Sequence, residues 1–162
     1  MLKKYLTKSA AGTKKLGEKL ARGILKKKAS ETAFIIGLEG ELGGGKTTFL
    51  QGFAKGLGIK EKILSPTFVI LKRFQLPNCQ LPIAKFKYFY HIDCYRITEP
   101  KELLGLGLKG IISNSRNIVA IEWAERIKKI LPKDTLVIKF KFIDKTKRKI
   151  CIAGLTPLEF GG

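Results

Sequence analysis

The stretch Gly40-Glu41-Leu42-Gly43-Gly44-Gly45-Lys46-Thr47-Thr48 constrains this chain more than any other. It satisfies the phosphate-binding pattern G-x-x-x-x-G-K-[ST], with Gly40, Gly45, Lys46 and Thr47 in the fixed places. The apolar run Phe34-Ile35-Ile36-Gly37-Leu38 precedes it, and a segment with apolar residues at Phe49, Leu50, Phe53 and Leu57 follows at helical spacing. Strand, glycine loop and helix in that order are the context in which the pattern carries chemistry. Glycines let the backbone turn tightly and bring its N–H groups to a polyphosphate. The helix N-terminus adds its dipole and free N–H groups. Lys46 is expected to reach the β- and γ-phosphates and the Thr47 hydroxyl to ligate Mg²⁺.

At 162 residues and 44% hydrophobic content, the chain is expected to fold as one domain spanning 1–162. No apolar run reaches membrane-span length, and Met1-Leu2-Lys3-Lys4-Tyr5 does not open a secretory signal. Three scattered cysteines, Cys79, Cys94 and Cys151, have no metal-ligand spacing and fit a reducing cytoplasm. The net charge is +19, from 32 Lys plus Arg against 13 Asp plus Glu. The excess is concentrated at net +9 in residues 1–30 and net +5 in residues 133–149. Such a balance favours RNA or acidic proteins as partners. Solvated lysines with no partner give the same composition, and no RNA-binding aromatic signature accompanies them.

Residues 1–12 read as frayed. Helical periodicity begins at Thr13 with Leu16, Leu20 and Ile24, and Lys26-Lys27-Lys28 closes that helix. Ser65-Pro66-Thr67-Phe68 leads into the apolar Val69-Ile70-Leu71. It is either an ordinary turn before a strand or a hydroxyl-bearing loop that senses a γ-phosphate. Residues 75–84 read as a hairpin or insertion loop. In the strand Lys85–Asp93, alternation puts Phe86, Tyr88, Tyr90 and Ile92 on one face and Phe89, His91 and Asp93 on the other. Asp93 then lies at the C-terminal end of the strand, the edge at which parallel α/β sheets bind ligands. His91, the only histidine, is either structural or part of that edge. A second buried strand, Ile118–Ile121, ends in Glu122 and Trp123, an acid in a Walker B-like position. Trp123 is either core packing or a lid over the site. Residues 99–112 read as a short helix and a turn, and 124–131 as a helix stopped by Pro132. Alternating Leu136, Ile138, Phe140 and Phe142, followed by Ile150 and Ile152, predict a C-terminal antiparallel hairpin turning at Asp144–Lys147.

Taken together, the glycine loop, Ser65-Pro66-Thr67-Phe68, His91-Ile92-Asp93-Cys94-Tyr95-Arg96 and Glu122-Trp123 resemble the TsaE (YjeE) family of small bacterial P-loop ATPases. The resemblance runs from about Thr13 to Ala153. It implies an α/β fold of the P-loop NTPase type: three layers, α/β/α, with a mostly parallel sheet. It implies ATP and Mg²⁺ as cofactors, and partners of the TsaB and TsaD type in making threonylcarbamoyladenosine beside the anticodon of tRNA. In that scheme TsaD transfers the threonylcarbamoyl group, and TsaE hydrolyses ATP for repeated turnover. Carried onto this sequence, Thr13, Glu41, Leu42, Gly43, Gly44, Gly45, Lys46, Thr47, Thr48 and Lys147 would bind the nucleotide. Thr47 and Glu122 would hold Mg²⁺, and Lys46, Asp93 and Glu122 would be catalytic, with Asp93 orienting or deprotonating water. Ser65, Pro66, Thr67, His91 and Trp123 would form the switch. Glu41 and Gly44 stand where the family has Asp and Ala, and Ala124 replaces a frequent Pro.

No arginine finger is obvious in cis, so hydrolysis by the isolated chain is expected to be slow and partner-stimulated. The alternative is a non-catalytic RNA-binding or assembly module that uses ATP as a structural ligand, with direct tRNA contact through the basic surface left open. A nucleotide kinase is disfavoured, because the arginines do not cluster as a phosphoryl-transfer lid requires.

Overall fold

The computed structural model describes residues 2–65, 70–81 and 84–154. Its elements, in chain order, are β1 (Leu2–Thr7), α1 (Ala10–Leu25), β2 (Phe34–Gly40), α2 (Lys46–Gly56), β3 (Leu71–Gln75), β4 (Tyr88–Asp93), α3 (Lys101–Gly105), α4 (Leu108–Ser113), β5 (Asn117–Glu122), a 3-10 helix (Ala124–Ile130), β6 (Leu136–Phe142) and β7 (Arg148–Ala153). Among the described residues the strands make one seven-stranded sheet in the order β1-β7-β6-β2-β5-β4-β3.

The centre of that sheet is parallel. β2 lies between β6 and β5, and β5 pairs with β4 in the same sense. The two flanks, β6-β7-β1 and β4-β3, are antiparallel. The sheet is therefore mixed rather than mostly parallel. A tight hairpin can join only antiparallel neighbours, and β6 and β7 are joined in that way.

Residues 2–12 are not frayed: they hold β1 and the start of α1. Leu2–Thr7 caps the free edge of β7 in full register, and Ser9 caps α1 by accepting a hydrogen bond from Gly12 N at 3.0 Å. β1 reads Leu-Lys-Lys-Tyr-Leu-Thr, a lone edge strand without polar/apolar alternation and so without a local signature, and only the partner strand fixes it. The segment 124–130 is a 3-10 helix broken at Ile127, not an α-helix.

Alternation along the central strands divides the core between the two faces of the sheet. Ile36, Leu38, Phe89, Ile118, Ala120, Ile138, Phe140 and Ile150 pack under α1 and α2. Ile35, Ile92, Val119 and Ile121 pack under α3, α4 and the 3-10 helix. Phe86 was grouped with Tyr90 and Ile92 by alternation, but it joins the α1/α2 core, because β4 starts only at Tyr88 and the residues before it need not keep strand parity. The polar consequence of this parity is the important one. Glu122 shares a face with Ile118 and Ala120, and Asp93 with Phe89, so both acids point toward α2. No helix among the described residues is long and apolar enough to cross a membrane.

Candidate functional site

The end of β2 and the start of α2 set the position of the site. Gly40, Gly43 and Gly45 all have positive φ (140°, 75° and 99°), values that side-chain-bearing residues rarely adopt. Gly45 is the residue on which α2 begins, and a Cβ at Gly40 would collide with the Phe140 carbonyl of the neighbouring strand. The loop thus wraps tightly over the sheet edge and leaves the first turn of α2 open toward a cavity of about 350 Å³. Leu42, Gly43, Gly44, Gly45, Lys46, Thr47 and Thr48 line that cavity together with Ser65, Glu122, Trp123 and Arg148.

Lys46 is almost fully buried at the head of α2. Its Nζ donates to the carbonyl oxygens of Gly40 at 2.6 Å and Glu41 at 2.9 Å. The same ammonium sits 4.1 Å from the centre of the Trp123 ring. Burial pulls its pKa down, and the surrounding carboxylates of Glu122, Glu125, Asp93 and Glu41 oppose that fall. Thr47 Oγ1 donates to Glu122 Oε1 at 2.8 Å, tying the loop to the tip of β5.

Asp93 and Glu122 are register partners at the C-terminal ends of β4 and β5. Two buried acids placed so closely cannot share one protonation state, and their surroundings separate them. Burial pushes the Asp93 carboxyl up, and the adjacent Glu122 charge adds to this, against the Tyr95 N–H that Asp93 accepts at 2.9 Å and the Ser65 hydroxyl at 3.2 Å. Burial also acts on Glu122, but His91 and Thr47 outweigh it and hold that carboxyl below its ordinary value. His91 Nε2 lies 3.4 Å from Glu122 Oε2, and both side chains are 2% exposed. Among the described residues no hydrogen-bond partner otherwise reaches that nitrogen. His91 therefore stands behind Glu122 and does not line the cavity.

An absent nucleotide and metal can be tested against this donor set. Thr47 hydroxyl and Glu122 carboxylate are hard oxygen ligands on one side of a cavity rimmed by loop backbone. That suits Mg²⁺, which uses few protein ligands and leaves the rest to water and phosphate. No cluster of three or more His, Cys, Asp or Glu suited to a metal occurs among the described residues, so a dedicated all-protein cage is not what the site offers.

The comparisons with known proteins bear on the same residues. The family model described as "Threonylcarbamoyl adenosine biosynthesis protein TsaE" matches residues 7–150. The chain belongs to the TsaE family. A Haemophilus influenzae relative, named tRNA threonylcarbamoyladenosine biosynthesis protein TsaE, is 32% identical over 86% of this chain and 82% of its own length. The Bacillus subtilis protein of the same name is 39% identical over 72% of this chain and 66% of its own length. The crystal structure of Bacillus subtilis YdiB superposes with a TM-score of 0.71 at 29% identity, covering 96% of this chain and 87% of that one.

Of the positions marked by the TsaE resemblance, the structure gathers Leu42–Thr48, Ser65, Glu122 and Trp123 around one cavity, with Asp93 bonded to Ser65 at its edge. Glu41 contributes its carbonyl to Lys46. Thr13 is buried and shares a 2.8 Å hydrogen bond with Thr7, and its methyl approaches the place where a Cβ on Gly45 would stand. Pro66 and Thr67 lie outside the described residues. Lys147 does not line the cavity: it faces Asp144, at 3.5 Å, in the hairpin turn. Its neighbour Arg148 does line it, donating from Nε to the Gly43 carbonyl at 3.1 Å and lying 4.6 Å over the Phe142 ring. Strand parity could have made that choice. Arg148 shares its face with Ile150 and Ile152, which pack on the α1 side, whereas Lys147 stands before the strand. Trp123 lines the same cavity. It packs 5.0 Å from Tyr95 and covers Lys46, at a positive φ of 58° that holds it over the cavity mouth.

Proposed function

We propose that this chain is a Mg²⁺-dependent ATPase of the P-loop NTPase fold that works in tRNA threonylcarbamoyladenosine biosynthesis with partners of the TsaB and TsaD type. One observation carries the reading. The hydrogen bond from Thr47 to Glu122 brings the end of the glycine loop to the tip of β5, directly beside Asp93. In this reading loop N–H groups and the start of α2 receive the phosphates. Lys46 exchanges the carbonyls of Gly40 and Glu41 for phosphate oxygens, a favourable trade for a buried ammonium. Thr47 and Glu122 hold Mg²⁺, which supplies neutralisation of the phosphate charge.

Asp93 serves as the base for water. Its raised carboxyl is better matched to accepting a proton than an ordinary surface aspartate, and the Tyr95 N–H and Ser65 hydroxyl orient it. Glu122, kept ionised by His91 and Thr47, is suited to a metal rather than to proton transfer. The Ser65 hydroxyl donates to Asp93 at 3.2 Å, so movement of Ser65 would change the geometry of the base. Arg148 adds a positive charge on the loop side, but it is committed to the carbonyls of Gly43, Asp144 and Lys147. Slow turnover by the isolated chain and faster turnover with partners follow.

The test is ATP binding and turnover by wild type and Lys46→Ala, with and without TsaB and TsaD type proteins and Mg²⁺. Turnover by the wild type should require Mg²⁺ and rise with partners. Lys46→Ala should lose at least tenfold in ATP affinity or turnover. Wild-type turnover unaffected by chelation of the metal would sink the proposal.

A further inference from the structure

We propose that the face of β1-β7-β6 turned away from α1 binds the phosphate backbone of a structured RNA. The choice of RNA among polyanions rests on the tRNA-modification reading above. α1 and α2 cover one side of this flank, through Tyr5, Ile138, Phe140, Ile150 and Ile152. On the other side, no helix packs against β1, β7 or β6 among the described residues: the core under α3, α4 and the 3-10 helix draws only on residues from other parts of the chain.

The residues displayed there follow from the register. Lys4 pairs with Cys151, which pairs with Lys139; Leu6 pairs with Lys149, which pairs with Lys141. All four lysines are exposed. Among the described residues, Lys139 alone of the four has a carboxylate near it, Glu39 at 3.7 Å, so the patch keeps a net positive charge. Lys141 and Lys149 stand directly opposite each other across the strands, a like-charge pairing that weakens a sheet. A bound polyanion relieves that repulsion. Strand spacing puts the four stems within a field roughly 10 Å by 7 Å, and the small Cys151 between Lys4 and Lys139 leaves the surface flat enough for a backbone to lie across it. Lysines on a rigid sheet, with no aromatic side chain among these positions, suit backbone contacts independent of sequence rather than base reading. The exposed Leu2 and Leu6 border the patch, so an anionic membrane surface is the competing occupant.

The experiment titrates fluorescent unmodified tRNA with the full chain at several salt concentrations. It compares wild type, Lys4→Glu/Lys149→Glu, and a control, Lys109→Glu/Lys129→Glu, that makes the same charge change elsewhere. Glu at position 149 faces Lys141, so the sheet is not weakened. The sheet variant should lose tenfold or more in affinity, and its salt slope should fall by about 1.5, as expected for two lost phosphate contacts. The control should lose less than threefold. Equal losses in both variants, or a wild type that binds phosphatidylserine vesicles and not tRNA, overturns the proposal. ATP affinity is read on the same samples: tRNA binding through this face in a chain that does not bind ATP would refute the nucleotide reading and leave the RNA surface standing.

Discussion

Asp93 sets stability against chemistry. Burial holds its carboxyl above the ordinary aspartate value, so the folded chain keeps a proton that the unfolded chain has already released. Stability therefore falls as pH rises from the ordinary value through the raised native one, and it stays lower above that point. Asp93→Asn removes this cost while keeping an acceptor for the Tyr95 N–H. Its melting temperature should match wild type in acid and exceed it by a few degrees at neutral pH, since about 1 kcal/mol moves the midpoint of a chain this size by roughly 2–4 °C, while turnover is lost. A variant less stable than wild type at pH 7 would contradict the assignment. The second residue-level prediction concerns the pair at the head of β7. Arg148→Ala should weaken ATP binding roughly tenfold or more, the scale of a charge-assisted hydrogen bond, and Lys147→Ala should leave it within about twofold. Isothermal titration of both variants decides between them. Lysines and arginines in a basic hairpin look alike in sequence, and only the direction of the strand separates them.

Among the elements, the packing of α1 on α2 bears most directly on the site, because α2 carries Lys46 and Thr47 at its head. Three glycines let the helix backbones meet. A Cβ at Gly17 would overlap the Phe49 carbonyl, one at Gly52 the Lys14 carbonyl, and one at Gly56 would stand 2.5 Å from the Glu18 carbonyl oxygen. Gly52→Ala gains up to about 1 kcal/mol in helix propensity, but it cannot fit without separating the helices. Urea denaturation should show a net loss of about 2 kcal/mol or more, within the range of overpacked cores. ATP affinity should fall with it as α2 shifts. The same element shows how local patterning was legible. Apolar residues every three to four positions marked both helices, alternation in β4 set Asp93 on the face of Phe89 and His91, and the apolar run of β5 ended in Glu122. The first strand was not legible, since an edge strand owes its form to its partner, and of the helix before Pro132 only the 3-10 form was not.

At the scale of the whole molecule, the net charge of +19 is the dominant fact. The described ion pairs, such as Lys55–Glu18 and Lys72–Glu61, lie mostly at the surface and offset little of it. Self-repulsion on this scale should make the fold salt-sensitive. Raising NaCl from roughly 20 mM to 300 mM shortens the screening length from about 20 Å to about 6 Å, so the melting temperature should rise, by contrast with a chain held together by surface ion pairs. A fall in melting temperature over that range would show that attractive pairs outweigh the repulsion. The same excess makes the uncovered face of β1-β7-β6 a surface that waits for an anion rather than a neutral edge.

The sequence alone determined the features that depend on neighbours along the chain. Glycine spacing, Lys46 and Thr47 at the start of a helix, and an acid at the end of each of two buried strands are all local patterns, because loop conformation and strand parity are local physics. Tertiary structure alone decided what depends on which strand lies beside which. It made Asp93 and Glu122 register partners, set His91 behind one of them, and seated β1 on the sheet edge. Those contacts join residues far apart in the chain, and their energies appear only when the sheet closes around them.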